Sequence, residues 1–311
     1  MKIISWQIDS QLEQELENHY QSRRSFEAAK KSPQDVISEY TFSYGAPNLK
    51  LTDVDSFLNF VELVIGRKIV GEGLEVGAGP GTHSAILANR HLVTKVYAVE
   101  ASRHIVQNLM PVVVPHILRE KEDKVVGVIG DFSNLELQNE SLDFVFDFFS
   151  LHHSPNLKKT LTEIHRVLKP GGVLICLDKA RDDSLTEADL NKLLDVEYSA
   201  HFKREMGIPE SQSHTRRMNG ENEYRKCDWF SFFKGAGFRE WSHFNVARTN
   251  SRFALVSFFK FILSKIPPKF QIIITNFLPK KITSSISAES RLYSSIVNNY
   301  QKEISLLVAI R

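Results

Sequence analysis

Glu75, Gly77, Gly79 and Gly81 are the residues whose types and spacing speak most directly of chemistry. They stand in the run Leu74-Glu75-Val76-Gly77-Ala78-Gly79-Pro80-Gly81-Thr82, where an apolar stretch ends in an acid and glycines fall at every second position. The run reads as a buried strand entering a tight loop and then a helix. Glycines let the backbone turn where a Cβ would clash, and they let a ligand lie directly against the main chain. A loop of this kind at the end of a parallel strand sits where open α/β sheets bind nucleotides. The spacing differs from the dinucleotide fingerprint G-x-G-x-x-G, whose third glycine would fall at position 82, which is Thr82. A nicotinamide-dependent oxidoreductase is therefore the disfavoured rival.

Further groups able to do chemistry follow at regular intervals: Glu100, Asp131, then Phe149-Ser150-Leu151-His152-His153, and Asp178. A histidine works as a general base near neutral pH, so His152, His153 and Asp178 are the candidate catalytic residues. No further Cys or His at ligand spacing accompanies the histidine pair, so no metal is expected.

The elements that must position these groups alternate between helix and strand. Strands are expected at 73–76, 95–99, 124–129, 142–148 and 173–177, with helices at 53–65, 82–88, 156–168 and 228–234. A mixed helical stretch over 105–118 is broken by Pro111 and Pro115, and Pro170-Gly171-Gly172 stops the helix before the fifth strand. A sixth strand is expected at 238–247 and a seventh at 303–310. The alternation implies a parallel sheet covered on both faces. Residues 1–50 are polar, with helical spacing from Gln11 to Lys31, and read as an N-terminal helical cap over the ligand edge.

Taken together, the glycine run, the acids closing successive strands and the later run Glu163-Ile164-His165-Arg166-Val167-Leu168-Lys169-Pro170-Gly171-Gly172 resemble the class I S-adenosylmethionine-dependent methyltransferases. The similarity is to the small-molecule type of quinone and sterol biosynthesis, and it covers about residues 70–178. It implies a Rossmann-like, seven-stranded, mostly parallel sheet whose last strand is antiparallel. It also implies S-adenosyl-L-methionine as cofactor and S-adenosyl-L-homocysteine as product. On this resemblance Glu75 orients the cofactor's amino end, and Gly77, Ala78, Gly79 and Gly81 line its methionine portion. Glu100 holds the ribose diol, since one ionised carboxylate accepts well from two vicinal hydroxyls. Asp131 accepts from the adenine amino group, Phe132 packs on the ring, and Phe149 and Ser150 lie near the methionyl part.

Length and composition set the remaining bounds. The chain has 311 residues, 42% hydrophobic and 24% charged, an ordinary globular composition. A net charge of +2 gives no electrostatic reason to expect a nucleic-acid partner. Cys176 and Cys227, the two cysteines, frame neither a disulfide scaffold nor a zinc site, and a reduced, cytoplasmic protein is expected.

The methyltransferase core is expected over 51–248 and 302–311. Within it, residues 179–226 form a substrate lid, from which His201, His214 and Arg216, together with Tyr44 of the cap, are the candidate acceptor-binding residues. Residues 249–301 form an apolar insertion between strands six and seven, and the stretch 253–278 is read as a surface for peripheral membrane contact or for self-association. The expected activity is methyl transfer to a small-molecule acceptor, lipid-like or natural-product in kind. The alternatives are a non-catalytic protein that binds S-adenosylmethionine or S-adenosylhomocysteine, and the nicotinamide-dependent oxidoreductase.

Overall fold

The computed structural model describes residues 1–14, 58–59, 61–205, 208–245 and 304–311. Most of the N-terminal cap, including Tyr44, and all of the 249–301 insertion lie outside the described residues. Eight strands form one sheet: β1 (Lys2–Ser5), β2 (Gly71–Val76), β3 (Val93–Glu100), β4 (Val125–Ile129), β5 (Leu142–Phe148), β6 (Leu168–Lys179), β7 (Glu240–Asn245) and β8 (Ile304–Ile310). Their order is β1-β4-β3-β2-β5-β6-β8-β7. Pairing is parallel from β1 through β6, and β8 alone runs against the rest, antiparallel to both β6 and β7. The order reverses between β2 and β5. That crevice at the carboxyl ends of the strands is the topological switch point of an open α/β sheet.

The expected α/β architecture and the antiparallel last strand are present, and one further strand joins them. Residues 2–5, expected in a helical cap, form β1 instead and extend the sheet to eight strands by pairing with β4, in register from Lys2 opposite Val126 to Ser5 opposite Ile129. The β-branched pair Ile3-Ile4 suits a strand. Trp6 then anchors it: the indole is buried, lies 6.5 Å from the Tyr97 ring, and packs on Gly130, where an added Cβ would come within 3.2 Å of it.

Two helical layers cover the sheet. On one face lie α1 (Thr82–Asn89) and α2 (Met110–Leu118), with Leu58 and Val61 beside them. On the other lie α3 (Leu157–Val167) and α6 (Lys226–Ala236). α3 buries Leu157, Leu161, Ile164 and Val167, a spacing of three and four that gives one apolar stripe. Its first turn is capped by the Asn156 side chain, which accepts from Lys159 N at 3.0 Å. Gly237, with φ 101°, ends α6 in the left-handed conformation usual for such a stop.

Two local expectations shift. The stretch 105–118 runs unbroken, as a wide π turn over Ile105–Leu109 leading into α2, although Pro111 and Pro115 each lack an N–H. β6 begins at Leu168, ahead of the expected 173. Leu142 pairs with Leu168 and Phe144 with Val173, so Lys169 to Gly172 bulge out of register. Between β6 and α6 the segment expected to be a lid contributes α4 (Glu187–Leu194) and α5 (Ala200–Glu205). No helix among the described residues is long and apolar enough to cross a membrane.

Trp6→Ala removes the anchor of β1. The expected cost is about 3 kcal/mol in urea unfolding, the usual size for truncating a buried aromatic side chain; an unchanged midpoint would mean that β1 is not docked.

Candidate functional site at the carboxyl edge of the sheet

The site is built where β2 turns into α1. Gly77, Gly79 and Gly81 have φ of 59°, 51° and 79°, conformations that side chains with a Cβ rarely adopt. A Cβ on Gly77 would meet Ser150 Oγ at 2.3 Å, whereas one on Gly79 would meet nothing within 4 Å. The loop is thus packed from below at Gly77 and open above Gly79. Ser150, just past β5, locks the loop by donating its hydroxyl to Gly77 O at 3.2 Å. Phe149 takes a φ of 59°, unusual for a bulky residue, and its N–H donates to Leu177 O at 2.9 Å.

Glu75 lies beneath the loop, almost fully buried. Its Oε2 accepts from the Ser84 hydroxyl, and its Oε1 lies 3.1 Å from His83 Nδ1. Ser84 and His83 belong to α1, so this carboxylate ties the strand to the helix across the turn. Sequence reasoning singles out neither residue.

Glu100 closes β3 and is brought to the same loop. Gly79 N–H donates to its Oε2 at 3.1 Å and Ser102 N–H to its Oε1 at 2.9 Å. Burial pushes this carboxyl above the usual range, opposed by those backbone donors. Each oxygen keeps acceptor capacity for another donor. Asp131, past β4, accepts from Ser133 N–H at 2.7 Å and from the Ser133 hydroxyl at 2.6 Å, which fixes its orientation. Phe132 beside it is half-buried against the α3-side core. Acceptor carboxylates therefore follow β4 and β3, and an open glycine cradle follows β2.

On the far side of the crevice, between β5 and β6, lies a buried polar cluster. His152 Nδ1 is 2.7 Å from Asp178 Oδ1, and His152 N–H donates to Asp178 Oδ2 at 2.9 Å. Burial, reinforced by Lys179, drives the His152 pKa well below the usual value, which keeps the ring neutral. His153 stacks on it, the ring centroids 4.2 Å apart. Burial raises Asp178 to about 6. Asp147 Oδ1 accepts from Ser150 N–H at 3.0 Å and Leu151 N–H at 2.9 Å, while its Oδ2 takes the Cys176 thiol at 3.2 Å. Burial and the neighbouring Asp178 charge push Asp147 far up. Among the described residues Asp147, Cys176 and Asp178 bring ligand-type atoms within 4.8 Å of one another, all buried, and their hydrogen bonds run to each other and to their own loop.

The lid residues occupy a different setting. Arg216, expected to bind the acceptor, is turned to a structural partner: its Nη1 donates to Glu223 Oε1 at 2.9 Å, and Arg181 holds the same carboxylate through its Nε at 2.6 Å and Nη2 at 2.9 Å. This buried triad ties the lid to the end of β6. His214 sits inside the lid, its N–H donating to Glu197 Oε2 at 3.1 Å and its ring 5.8 Å from that of Tyr198. The His201 and Tyr44 side chains lie outside what is described. The arginine pairing has no local signal, because its members are 42 and 7 residues from Glu223.

Fold and site together define an open α/β protein of the nucleotide-cofactor type, with a glycine cradle at the switch point and carboxylates at the neighbouring strand ends. Residues 74–176 match the family model described as a methyltransferase domain. It is 38% identical over 81 residues to demethylmenaquinone methyltransferase of Staphylococcus epidermidis, covering 26% of this chain and 31% of that one. It is 29% identical over 122 residues to sterol 24-C-methyltransferase of Schizosaccharomyces pombe, covering 39% of this chain and 28% of that one. The match thus spans less than a third of either relative. Among solved structures, phosphoethanolamine N-methyltransferase 2 of Haemonchus contortus, in complex with phosphomonomethylethanolamine and S-adenosylhomocysteine, superposes with a TM-score of 0.51 at 16% identity. That superposition covers 88% of this chain and 56% of the other, a likeness of fold.

The Asp178 pKa makes a prediction with a definite sign. Its folded value, about 6, lies above the ordinary 3.8, so the stability it contributes is complete below pH 3.8 and is lost as pH rises through 6. The difference in unfolding free energy between wild type and Asp178→Asn should therefore move against the wild type between those two pH values; a flat difference in denaturant titrations would contradict the effect of burial.

Proposed function

We propose that the protein transfers a methyl group from S-adenosylmethionine to a small-molecule acceptor. The observation that carries this reading is the placement of the buried Glu100 carboxylate against the open Gly79 cradle, at the switch point of a methyltransferase domain. A ribose diol meets an oriented carboxylate there, an adenine amino group meets Asp131 one strand further out, and the open space above Gly79 admits the rest of the molecule. When bound, S-adenosylmethionine supplies the electrophilic methyl carbon: a lone pair of the acceptor bonds to it as the S–C pair returns to sulfur, which leaves S-adenosylhomocysteine.

The chain's own residues then have three tasks. Glu100 and Asp131 fix the nucleoside and so aim the methyl group. The covering helices and lid exclude water from the reacting centre. His152 takes the proton that the acceptor must lose. Asp178 faces its Nδ1, so the N–H lies there and Nε2 keeps the lone pair; burial keeps the ring neutral at physiological pH. Such a base suits an O–H or N–H acceptor. The apolar stretch 253–278 favours an amphiphilic acceptor and peripheral membrane contact or self-association, in a cytoplasmic setting.

Calorimetric titration with S-adenosylmethionine and S-adenosylhomocysteine should give micromolar binding that Glu100→Ala abolishes. No binding to the folded wild type would sink the reading. With a methylated acceptor in hand, His152→Gln should lower kcat about 100-fold with cofactor binding intact, the usual worth of a general base; an unchanged kcat would remove His152 from the mechanism.

A further inference from the structure

Once the nucleoside is placed as in the proposed methyltransferase function, on which this inference rests, the strand order sets where the rest of S-adenosylmethionine lies. Along the carboxyl edge, Asp131 follows β4, Glu100 closes β3 and the glycine loop follows β2, three neighbouring strands in sequence. With adenine at Asp131 and ribose at Glu100, the third part of the molecule, its amino-acid end, falls over the turn from β2 into α1.

That turn leads into two buried polar atoms that lack partners. Among the described residues, Thr82 Oγ1 and His83 Nε2 are the buried side-chain nitrogen and oxygen atoms without a hydrogen-bond partner. They are consecutive residues in the first turn of α1, and Thr82 is 3% exposed. Buried polar groups are nearly always paired, and leaving one unpaired is costly. Two adjacent orphans beside an open glycine cradle therefore mark the position of an absent partner. The helix start does not satisfy them: its N-cap is Gly81, with no side chain to offer.

The state of each group states what the partner must be. Glu75 Oε1 faces His83 Nδ1 at 3.1 Å, and a carboxylate there accepts the Nδ1 proton. In the neutral ring Nε2 then carries a lone pair and calls for a donor. The Thr82 hydroxyl can donate to an anion. An ammonium and a carboxylate on one carbon, the end of an α-amino acid, meet both needs. The imidazole is also held in place from the side, 4.1 Å from the Phe148 ring centroid. Past Phe148, the last residue of β5, the chain reaches Ser150, whose hydroxyl binds Gly77 O. His83 and the glycine loop are thus both packed against the end of β5 and the residues that follow it.

We propose that Thr82 and His83 bind the amino-acid end of the cofactor, Thr82 Oγ1 donating to its carboxylate and His83 Nε2 accepting from its ammonium group. The test compares calorimetric binding of S-adenosylhomocysteine with that of 5′-methylthioadenosine, which keeps the nucleoside and thioether and lacks the amino-acid end. Thr82→Val and His83→Phe should each weaken S-adenosylhomocysteine about tenfold, the worth of one hydrogen bond to a charged group. Both should leave 5′-methylthioadenosine at its wild-type affinity, and Thr82→Ser should bind both ligands as the wild type does. Thr82→Val should not melt below the unliganded wild type, since it removes only an unpaired buried atom, whereas His83→Phe also strips Glu75 of its Nδ1 partner and should melt lower. Unchanged S-adenosylhomocysteine affinity, equal loss for the two ligands, or a lowered melting temperature of Thr82→Val, which marks a packing role, would overturn the proposal. A wild type that binds neither ligand would instead overturn the methyltransferase reading, and this inference with it.

Discussion

The close approach of the β2–α1 turn to the end of β5 is the constraint on which the rest of the molecule depends. At Gly77 there is no room for a Cβ, because Ser150 Oγ already occupies that position at 2.3 Å. The approach is fixed by the parallel pairing of β2 with β5, which sets Val76 opposite Asp147. It is sealed by the Ser150 hydroxyl on Gly77 O from one side and by Gly79 N–H on the Glu100 carboxylate from the other. Three strand ends are thereby tied to one loop. The loop in turn starts α1 at Thr82, with Gly81 as its N-cap.

Ionisable groups are arranged on both sides of this turn. Glu75 holds His83 and Ser84 on the α1 face, beside Phe146 and Phe148. Asp147, Cys176, Asp178 and His152 form the second group, and Cys176 belongs to the core on the α3 face. Burial dominates the second group: it raises both carboxyls and the thiol and lowers the imidazole, so each moves toward its uncharged form. The Arg181–Glu223–Arg216 triad shows the other solution to the same problem, in which a buried charge is kept by pairing. It fastens the segment between β6 and α6 to the sheet.

Much of this is legible in the chain because it is local. The bounds of β5 at Leu142 and Phe148 match the sequence expectation because a continuous apolar run between turn residues has one reading. The glycine spacing after β2 locates the cradle, and Glu100 and Asp131 stand out because acids closing successive strands are visible in order. The groups that escape are held by distant partners. β1 is four residues long and its partner β4 lies far along the chain, so Lys2 to Ser5 carry no pattern that separates a strand from a coil. Arg216 shows the same limit from the other side: a charged residue in a polar stretch looks solvent-facing until Glu223 is placed beside it. Thr82 illustrates a third case. In the sequence it only breaks a dinucleotide pattern, and that its hydroxyl is buried without a partner becomes visible only once α1 is packed.

On the proposed reading, one ligand runs along the carboxyl edge with its nucleoside over β4 and β3 and its remaining end over the β2–α1 turn. A crystal structure of the protein with S-adenosylhomocysteine tests it most directly. The ribose hydroxyls are expected on the Glu100 carboxylate, the adenine beside Asp131 and Phe132, and the chain of the ligand against Gly79. A ligand bound elsewhere, or lying in the crevice with its adenine toward β5, would contradict the claim.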